Sequence, residues 1–398
     1  MGPLALLFLS LFNSILGLSV LFPILAPLAR ELGLSEVQVG LFSTGYALMQ
    51  FVMSPYWGRQ SERVGRKPVL LVGILGFALS FYLFAIVAQL GFAGRLGPGV
   101  LFGLLLAARV LGGTFSSATL PTAQAYVADV TGRNERTAGM ALIGAAFGLG
   151  VIFGPAIGAG LAGISLLAPI YFSASLALLN AWFVWWKLPE PQRRVGAEAA
   201  GALRPTDPRI QPLLVLGFAV SLASVALEQT VAFYFQDRLG LDATGTARAV
   251  GTALVVYGLV AVFVQGVLVR KYQWPPRVLL WVGVPAALAG FVLFIFAHGF
   301  AVLTLALVLQ GFGQGLAMPG VTAALSLAVG EGEQGSVAGL GSAAQALGRM
   351  LGPVAGTGLY EFRPEYPYVF SASLLGLALF LLAVNPRVRQ ALEEHPGA

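Results

Sequence analysis

Three ionisable side chains of this chain lie deep in apolar stretches: Arg109, Glu228 and Arg349. A charge near the centre of a bilayer costs roughly 3 kcal/mol or more, so each must face the protein interior or a wet cavity and is a functional candidate by default. The chemistry open to such a set is proton carriage, in which a carboxyl group takes up and releases a proton and guanidinium groups balance its charge. Glu228 stands about eight residues before the outer end of its stretch and Arg349 about ten before the outer end of another, which at about 1.5 Å per residue gives them similar depth. Cysteine is absent, and the two histidines, His298 and His395, fall at a helix end and in the C-terminal tail. No metal set and no pairing of nucleophile with base can be assembled from these residues, so an enzyme is not expected.

The elements that hold these charges are read from hydropathy. Of 398 residues, 57% are hydrophobic and only 10% charged, against about 25% charged in a soluble domain. Mean hydropathy is +0.83. The composition predicts an all-α membrane protein. A span needs about 20 apolar residues, and twelve such runs alternate with short polar loops: Pro3 to Ala29, Val37 to Trp57, Pro68 to Phe92, Gly99 to Ala128, Ala138 to Gly160, Ile164 to Trp186, Pro212 to Gln236, Ala249 to Val269, Val278 to Ala297, Ala301 to Val329, Ser336 to Tyr360 and Tyr368 to Val384. Residues 187–211, rich in Pro, Ala, Arg and Glu, lack helical periodicity and read as a cytoplasmic linker between two six-helix halves, residues 1–186 and 212–398. The first run continues through Leu28 without a clear cleavage site and is expected to be an uncleaved span.

Orientation follows from charge. Residues Gly58 to Lys67 read G-R-Q-S-E-R-V-G-R-K, a compact basic hairpin between two spans, and Lys and Arg flanking spans stay on the cytoplasmic side. With both termini inside, the cytoplasmic loops hold Arg59, Arg63, Arg66, Lys67, Arg133, Arg136, Lys187, Arg193, Arg194, Arg204, Arg209, Arg270, Lys271, Arg277, Arg387 and Arg389. The outer loops hold only Arg30, Arg95, Arg238, Arg248 and Arg363, a bias of about three to one in the expected sense. The net charge of +6 is thereby assigned to topology, and nucleic acid is not an expected partner. All six tryptophans fall near predicted cytoplasmic ends and read as interfacial anchors.

The halves echo each other. The fourth run carries Arg109, Gly112, Gly113 and Pro121, and the tenth carries Gln310, Gly311, Gly313, Gly315 and Pro319. The fifth has Gly154-Pro155 followed by Gly158 and Gly160, and the eleventh has Gly352-Pro353 followed by Gly356 and Gly358. Small residues and prolines recurring in corresponding helices mark a duplicated transporter fold with its site at the repeat interface.

On these residues the chain resembles the major facilitator superfamily, and within it the twelve-helix drug:proton antiporters. Gly58, Glu62, Arg63, Gly65, Arg66 and Lys67 resemble motif A, Arg109 with Gly113 resembles motif B, and Gly148, Gly154, Pro155 and Gly158 resemble motif C, the antiporter motif. The resemblance spans the whole chain. It implies the major facilitator fold, two pseudo-symmetric six-helix bundles moving by alternating access, in a bacterial-type inner membrane and working as a monomer. It also makes the seventh and eleventh helices neighbours, so that Glu228 can carry the coupling proton with Arg349 beside it; a static ion pair is the other reading. Arg109 and Asp129 complete the proton-linked charges, Arg109 by its match to motif B. Relatives often supply an acid from the first helix, where this chain offers only Asn13 at depth, and that departure moves the expected carrier to Glu228.

Motif A implies a gate. Gly58 is expected to permit close helix approach, Glu62 to face the positive N-terminal end of the eleventh helix near Gln334 and Gly335, and Arg63 and Arg66 to pair with Asp129. The alternative is that these arginines serve topology alone. The family has Asp where this chain has Glu62. The motif C glycines are expected to pack the fifth helix on the first, with Pro155 removing one backbone donor, and the family associates this segment with export.

Eight further polar or amphipathic groups in apolar spans are candidates to orient cargo: Asn13, Tyr46, Gln50, Gln124, Gln229, Tyr257, Gln310 and Gln314. Each can equally serve a helix–helix hydrogen bond. The expected function is proton-coupled export of lipophilic drugs, with the proton gradient as energy source and no cofactor. The alternative is movement of a specific metabolite or lipid such as a sugar, amino acid or glycolipid, but the sparse polarity favours greasy cargo. No G-x-x-x-x-G-K-[ST] phosphate loop is present, which argues against ATP-driven transport.

Overall fold

The computed structural model describes residues 3–130, 136–191, 203–272, 274–330 and 333–384. Residues 192–202 of the linker and the charges Arg133, Arg193, Arg194, Arg387 and Arg389, with His395, lie outside the described residues. Among the described residues all regular structure is helical, and the elements fall on the twelve apolar runs. They are α1 (Pro3–Ser19), α2 (Leu25–Glu31), α3 (Glu36–Val64), α4 (Arg66–Phe92), α5 (Pro98–Ser116), α6 (Thr119–Val130), α7 (Arg136–Ala162), α8 (Ala168–Lys187), α9 (Gln211–Leu239), α10 (Ala243–Phe263), α11 (Arg270–Tyr272), α12 (Pro276–Phe296), α13 (Phe300–Leu327), α14 (Gln334–Phe362) and α15 (Tyr366–Val384). A π-helical stretch, Val264–Val269, joins α10 to α11. Eight of these stretches are long and apolar enough to cross a bilayer, and Leu4–Ser19 and Gly148–Ala162 are shorter apolar helices.

The backbone departs from the expected runs where proline or capping chemistry dictates. The first run is two helices. After Ser19 the chain tightens into three-residue turns, Leu21 N–H to Leu18 O at 3.2 Å and Ile24 N–H to Leu21 O at 3.1 Å, around Pro23, which has no N–H to donate. The fourth run also divides, at Ser117 and Ala118, four and three residues before Pro121. The second run is longer than expected. Ser35 and Gln38 cap its start reciprocally, at 3.3 and 2.9 Å, and the helix continues to Val64. The stretch from Gly58 to Arg63 is therefore helical and not a hairpin, and Gly65 alone separates α3 from α4.

The chain packs as two compact units, Met1–Gly196 with Gly240–Val255 and Ala197–Leu239 with Val256–Ala398. In the first, α1 packs on α7 and α8, α4 on α5 and α8, and α3 on α5. In the second, α9 packs on α14 and α15, and α12 on α13 and α15. Each unit contains the same glycine seam. A Cβ placed on Gly150, Gly154 or Gly158 of α7 would come to 3.0 Å or less from Ile15 or Ser19 of α1 or from Val20 just past its end. One on Gly348, Gly352 or Gly356 of α14 would come as close to Leu222, Val225 or Ala226 of α9. A serine hydroxyl crosses each seam: Ser19 Oγ donates to Gly150 O at 2.7 Å, and Ser221 Oγ to Gln345 O at 2.9 Å. Close backbone packing of this kind associates helices where lipid supplies no hydrophobic drive.

The tryptophans divide. Trp182, Trp185, Trp186 and Trp281 are exposed, as anchors would be. Trp57 instead turns inward and donates its indole N–H to Thr114 O at 2.7 Å, tying α3 to α5, because a half-buried indole N–H requires an acceptor.

The resolved end of the linker is tied down within the second unit. Arg209 bonds Asp207 at 2.8 Å and Glu333 at 3.0 Å, and the Leu203 N–H reaches Ser336 Oγ at 2.9 Å. The Arg209 hydrogen bonds hold the Asp207 and Glu333 carboxyls below their ordinary range and raise the guanidinium in turn. Carboxyls depressed in the folded state contribute fully above their unfolded values, about pH 4, and their contribution is lost only as pH falls through the depressed values. Amide hydrogen exchange at Leu203 and Arg209, corrected for intrinsic rate, is therefore expected to be unchanged between about pH 8 and pH 5. It is expected to rise several-fold in Arg209→Gln at neutral pH.

Candidate functional site

In the first unit the site is built around Arg109. Motif B glycines bring α5 against its neighbours: a Cβ on Gly113 would strike the Tyr46 backbone of α3, and one on Gly112 would strike Ser80 of α4. The approach lays the Tyr46 ring 4.6 Å from the Arg109 guanidinium, with the Phe81 ring at 5.8 Å. Arg109 is buried, and no protein acceptor reaches its Nε or Nη1. The Tyr46 hydroxyl shares a short hydrogen bond with Ser116 Oγ and accepts from Gln50 Nε2 at 3.3 Å. Tyr46 and Gln50 are thus brought together with Arg109. Asn13, also buried, keeps an unpartnered Oδ1.

In the second unit Glu228 is half-buried on α9 and accepts a hydrogen bond from Ser224 Oγ at 3.3 Å. Arg349 of α14 acts on it electrostatically, but no ion pair joins the two directly among the described residues. The static-pair reading is thereby disfavoured. Tyr257 is the third member, within electrostatic range of Glu228 and beside Ser224. Its placement repeats that of Tyr46, since a Cβ on Gly311 of α13 would strike the Tyr257 carbonyl oxygen.

Of the remaining candidates, two are taken by packing. Gln310 donates to Ala287 O at 2.7 Å, and Gln314 donates to Val220 O at 3.4 Å, so both amides tie helices together, while Gln310 Oε1 is buried without a partner. Gln124 is exposed and Gln229 half-buried.

The α3–α4 junction forms a third centre. Arg66 Nε donates to Asp129 Oδ2 of α6 at 2.9 Å and its Nη1 to Ser61 Oγ at 2.6 Å. Both charged side chains are largely buried, 10% and 7% exposed, so the pair is stabilised by the added hydrogen bond rather than by charge alone. Glu190 was not anticipated. Its carboxylate accepts the backbone N–H groups of Arg66 and, at 2.9 Å, of Lys67, capping the positive end of α4. The Tyr126 hydroxyl, donating to Pro189 O at 2.7 Å, steadies the turn that carries it. The signal was available in Pro189-Glu190-Pro191, a carboxylate fixed between two prolines just past a helix. Gly65 closes the centre with φ 120°, and a Cβ there would lie 2.8 Å from Glu190 Oε1, so both its conformation and its contact require glycine.

Gly58 departs from expectation. A Cβ on Gly58 would meet nothing within 4 Å, so close approach is not what that glycine provides. Glu62 and Arg63 are exposed on the last turn of α3. Motif C packs as expected at Gly154 and Gly158, Gly150 makes a close contact of the same kind, and Gly148 is half-buried. Pro155 lies within α7.

The Major Facilitator Superfamily profile matches residues 7–301 and 274–397. Multidrug resistance protein 1 of Bacillus subtilis is 28% identical over 386 residues, 95% of each chain. The class C tetracycline resistance protein of Escherichia coli is 28% identical over 396 residues, 94% of this chain and 93% of its own. Among solved structures, the nucleoside transporter NupG superposes with a TM-score of 0.75 over 96% of this chain and 99% of that one, at 12% identity, a likeness of fold.

The α1–α7 seam generates a direct test. Gly154→Ala is expected to destabilise by about 1–3 kcal/mol, as overpacking does, read as a lower thermal midpoint in detergent. Ser19→Ala in the same chain is expected to recover part of that loss, since the Ser19 hydroxyl is the nearest atom to the added methyl.

Proposed function

Because the chain belongs to the major facilitator superfamily, we propose that it is a proton-coupled antiporter that exports lipophilic drugs by alternating access of two six-helix halves, residues 1–186 and 212–398. The inward-facing state takes up cargo. The outward-facing state releases it and admits a proton to Glu228, which is discharged to the inside on return. The proton gradient supplies the energy, no cofactor is needed, and one chain is the working unit. Twelve spans put both termini on the cytoplasmic side of a bacterial cell membrane.

The observation that carries this reading is the setting of Glu228. It is a carboxyl group in an apolar helix, touched by a neutral hydroxyl and balanced by a guanidinium that does not contact it. A locked ion pair would resist protonation, whereas this arrangement lets the group change state at modest cost. Export is supported by the names of the relatives, multidrug and tetracycline resistance proteins. The Arg66–Asp129 pair and the Glu190 cap are suited to hold α3, α4 and α6 together in one state and release them in the other.

Two measurements test the reading. In proteoliposomes under an imposed pH gradient, Glu228→Gln is expected to reduce export of lipophilic dyes by at least about tenfold, with Glu228→Asp retaining part; undiminished export would remove Glu228 as carrier. Selective movement of a sugar or amino acid in the same vesicles would favour a metabolite transporter instead. The absence of cysteine permits single-cysteine mapping, and Arg59→Cys is expected to react with impermeant maleimide only from the cytoplasmic face.

A further inference from the structure

Arg109 is a cation without an anion. The acidic side chains of its unit lie at helix ends and loops: Asp129 pairs with Arg66, Glu36 with Arg30, Glu190 caps α4, Asp242 caps the start of α10, and Glu31 and Glu62 stand in the last turns of α2 and α3. None stands in the interior with Arg109, and α1, α4, α5, α7 and α8 carry no acidic residue at depth. Within the first unit Arg109 is therefore the one charge deep in the spans among the described residues.

The guanidinium is also presented for binding. Its contacts in the protein are the faces of Tyr46 and Phe81, and stacking occupies the plane of the group while leaving its edge donors free. Nε and Nη1 are buried and have no protein acceptor. A planar fork with open edges in a low-dielectric setting matches a carboxylate in bidentate fashion. Nor does packing require the cation. The second unit repeats the tyrosine–glycine contact at Tyr257 and Gly311 with Leu307 four residues before the glycine, where the first unit has Arg109 four residues before Gly113.

We propose that Arg109 selects cargo bearing a carboxylate, so that the transporter prefers lipophilic organic anions and zwitterions over lipophilic cations. This rests on the export reading above and names its substrate class. A permanent cation would meet the like charge of Arg109, whereas a carboxylate satisfies the donors that the protein leaves open.

The test uses a carboxylated xanthene dye and its ethyl ester, which share a skeleton and differ by one negative charge. Binding to the full chain in detergent and export from proteoliposomes are measured in parallel. The carboxylate is expected to bind and move about tenfold better than the ester. In the binding measurement Arg109→Gln is expected to erase that preference by weakening the carboxylate and not the ester, and Arg109→Lys to keep part of it, while export of both dyes is expected to fall because Arg109 also belongs to the proton-linked charges; should Arg109→Gln fail to fold, Arg109→Lys and the wild-type comparison decide. Equal or better handling of the ester by the wild type overturns the proposal while leaving export standing. Equal weakening of the binding of both dyes in Arg109→Gln also overturns it. Carboxylate binding without gradient-driven movement overturns the export reading and leaves the anion site intact.

Discussion

Lipid presses on helices from all sides without preferring one contact over another, so a membrane fold is held by how closely its backbones can approach. In this chain the approach is made by glycine. The α1–α7 seam in the first unit and the α9–α14 seam in the second use the same device, and Gly113 and Gly311 apply it a second time against the carbonyls of Tyr46 and Tyr257. Those tyrosines in turn flank Arg109 and Glu228. The chemistry is therefore positioned by the absence of side chains on neighbouring helices, and a methyl group in the wrong place would move a charge.

Two arginines of the first unit show how differently the protein can treat one side chain. Arg66 is surrounded by acceptors, with Asp129 and Ser61 on its guanidinium and Glu190 on its amide, and it fixes a joint. Arg109 is surrounded by rings and left with open donors. The first arrangement is rigid because every group is satisfied; the second is receptive because some are not. A buried polar group without a partner is costly in a purely structural role, and that cost is the ground on which a binding role for Arg109 is proposed.

Much of this was legible in the chain itself. Hydropathy located the apolar runs, and the glycine spacing at 154 and 158 and at 352 and 356 announced the seams, because a helix face with no side chains has few other uses. The Arg66–Asp129 pair followed from charge and motif. What was hidden was anything set by side-chain direction or by local backbone chemistry. Gln310 and Gln314 read as cargo contacts because composition cannot tell which way an amide points, and in the fold both serve neighbouring carbonyls. The breaks before Pro23 and Pro121 were obscured by uninterrupted hydrophobicity. The basic stretch from Gly58 was taken for a loop because charge was read as exposure, whereas charged residues continue a helix readily once it has been capped at Ser35.

The joint at Gly65 carries a consequence for how the protein can vary. One residue separates twenty-nine residues of helix from twenty-seven, leaving no slack to absorb a change in length. Each residue inserted there would swing the following helix by about 100° around its axis, turning Arg66 away from Asp129 and unseating the carboxylate that crowns the helix start. Evolution can lengthen this chain in its long interhalf segment, but at this hinge it can only substitute.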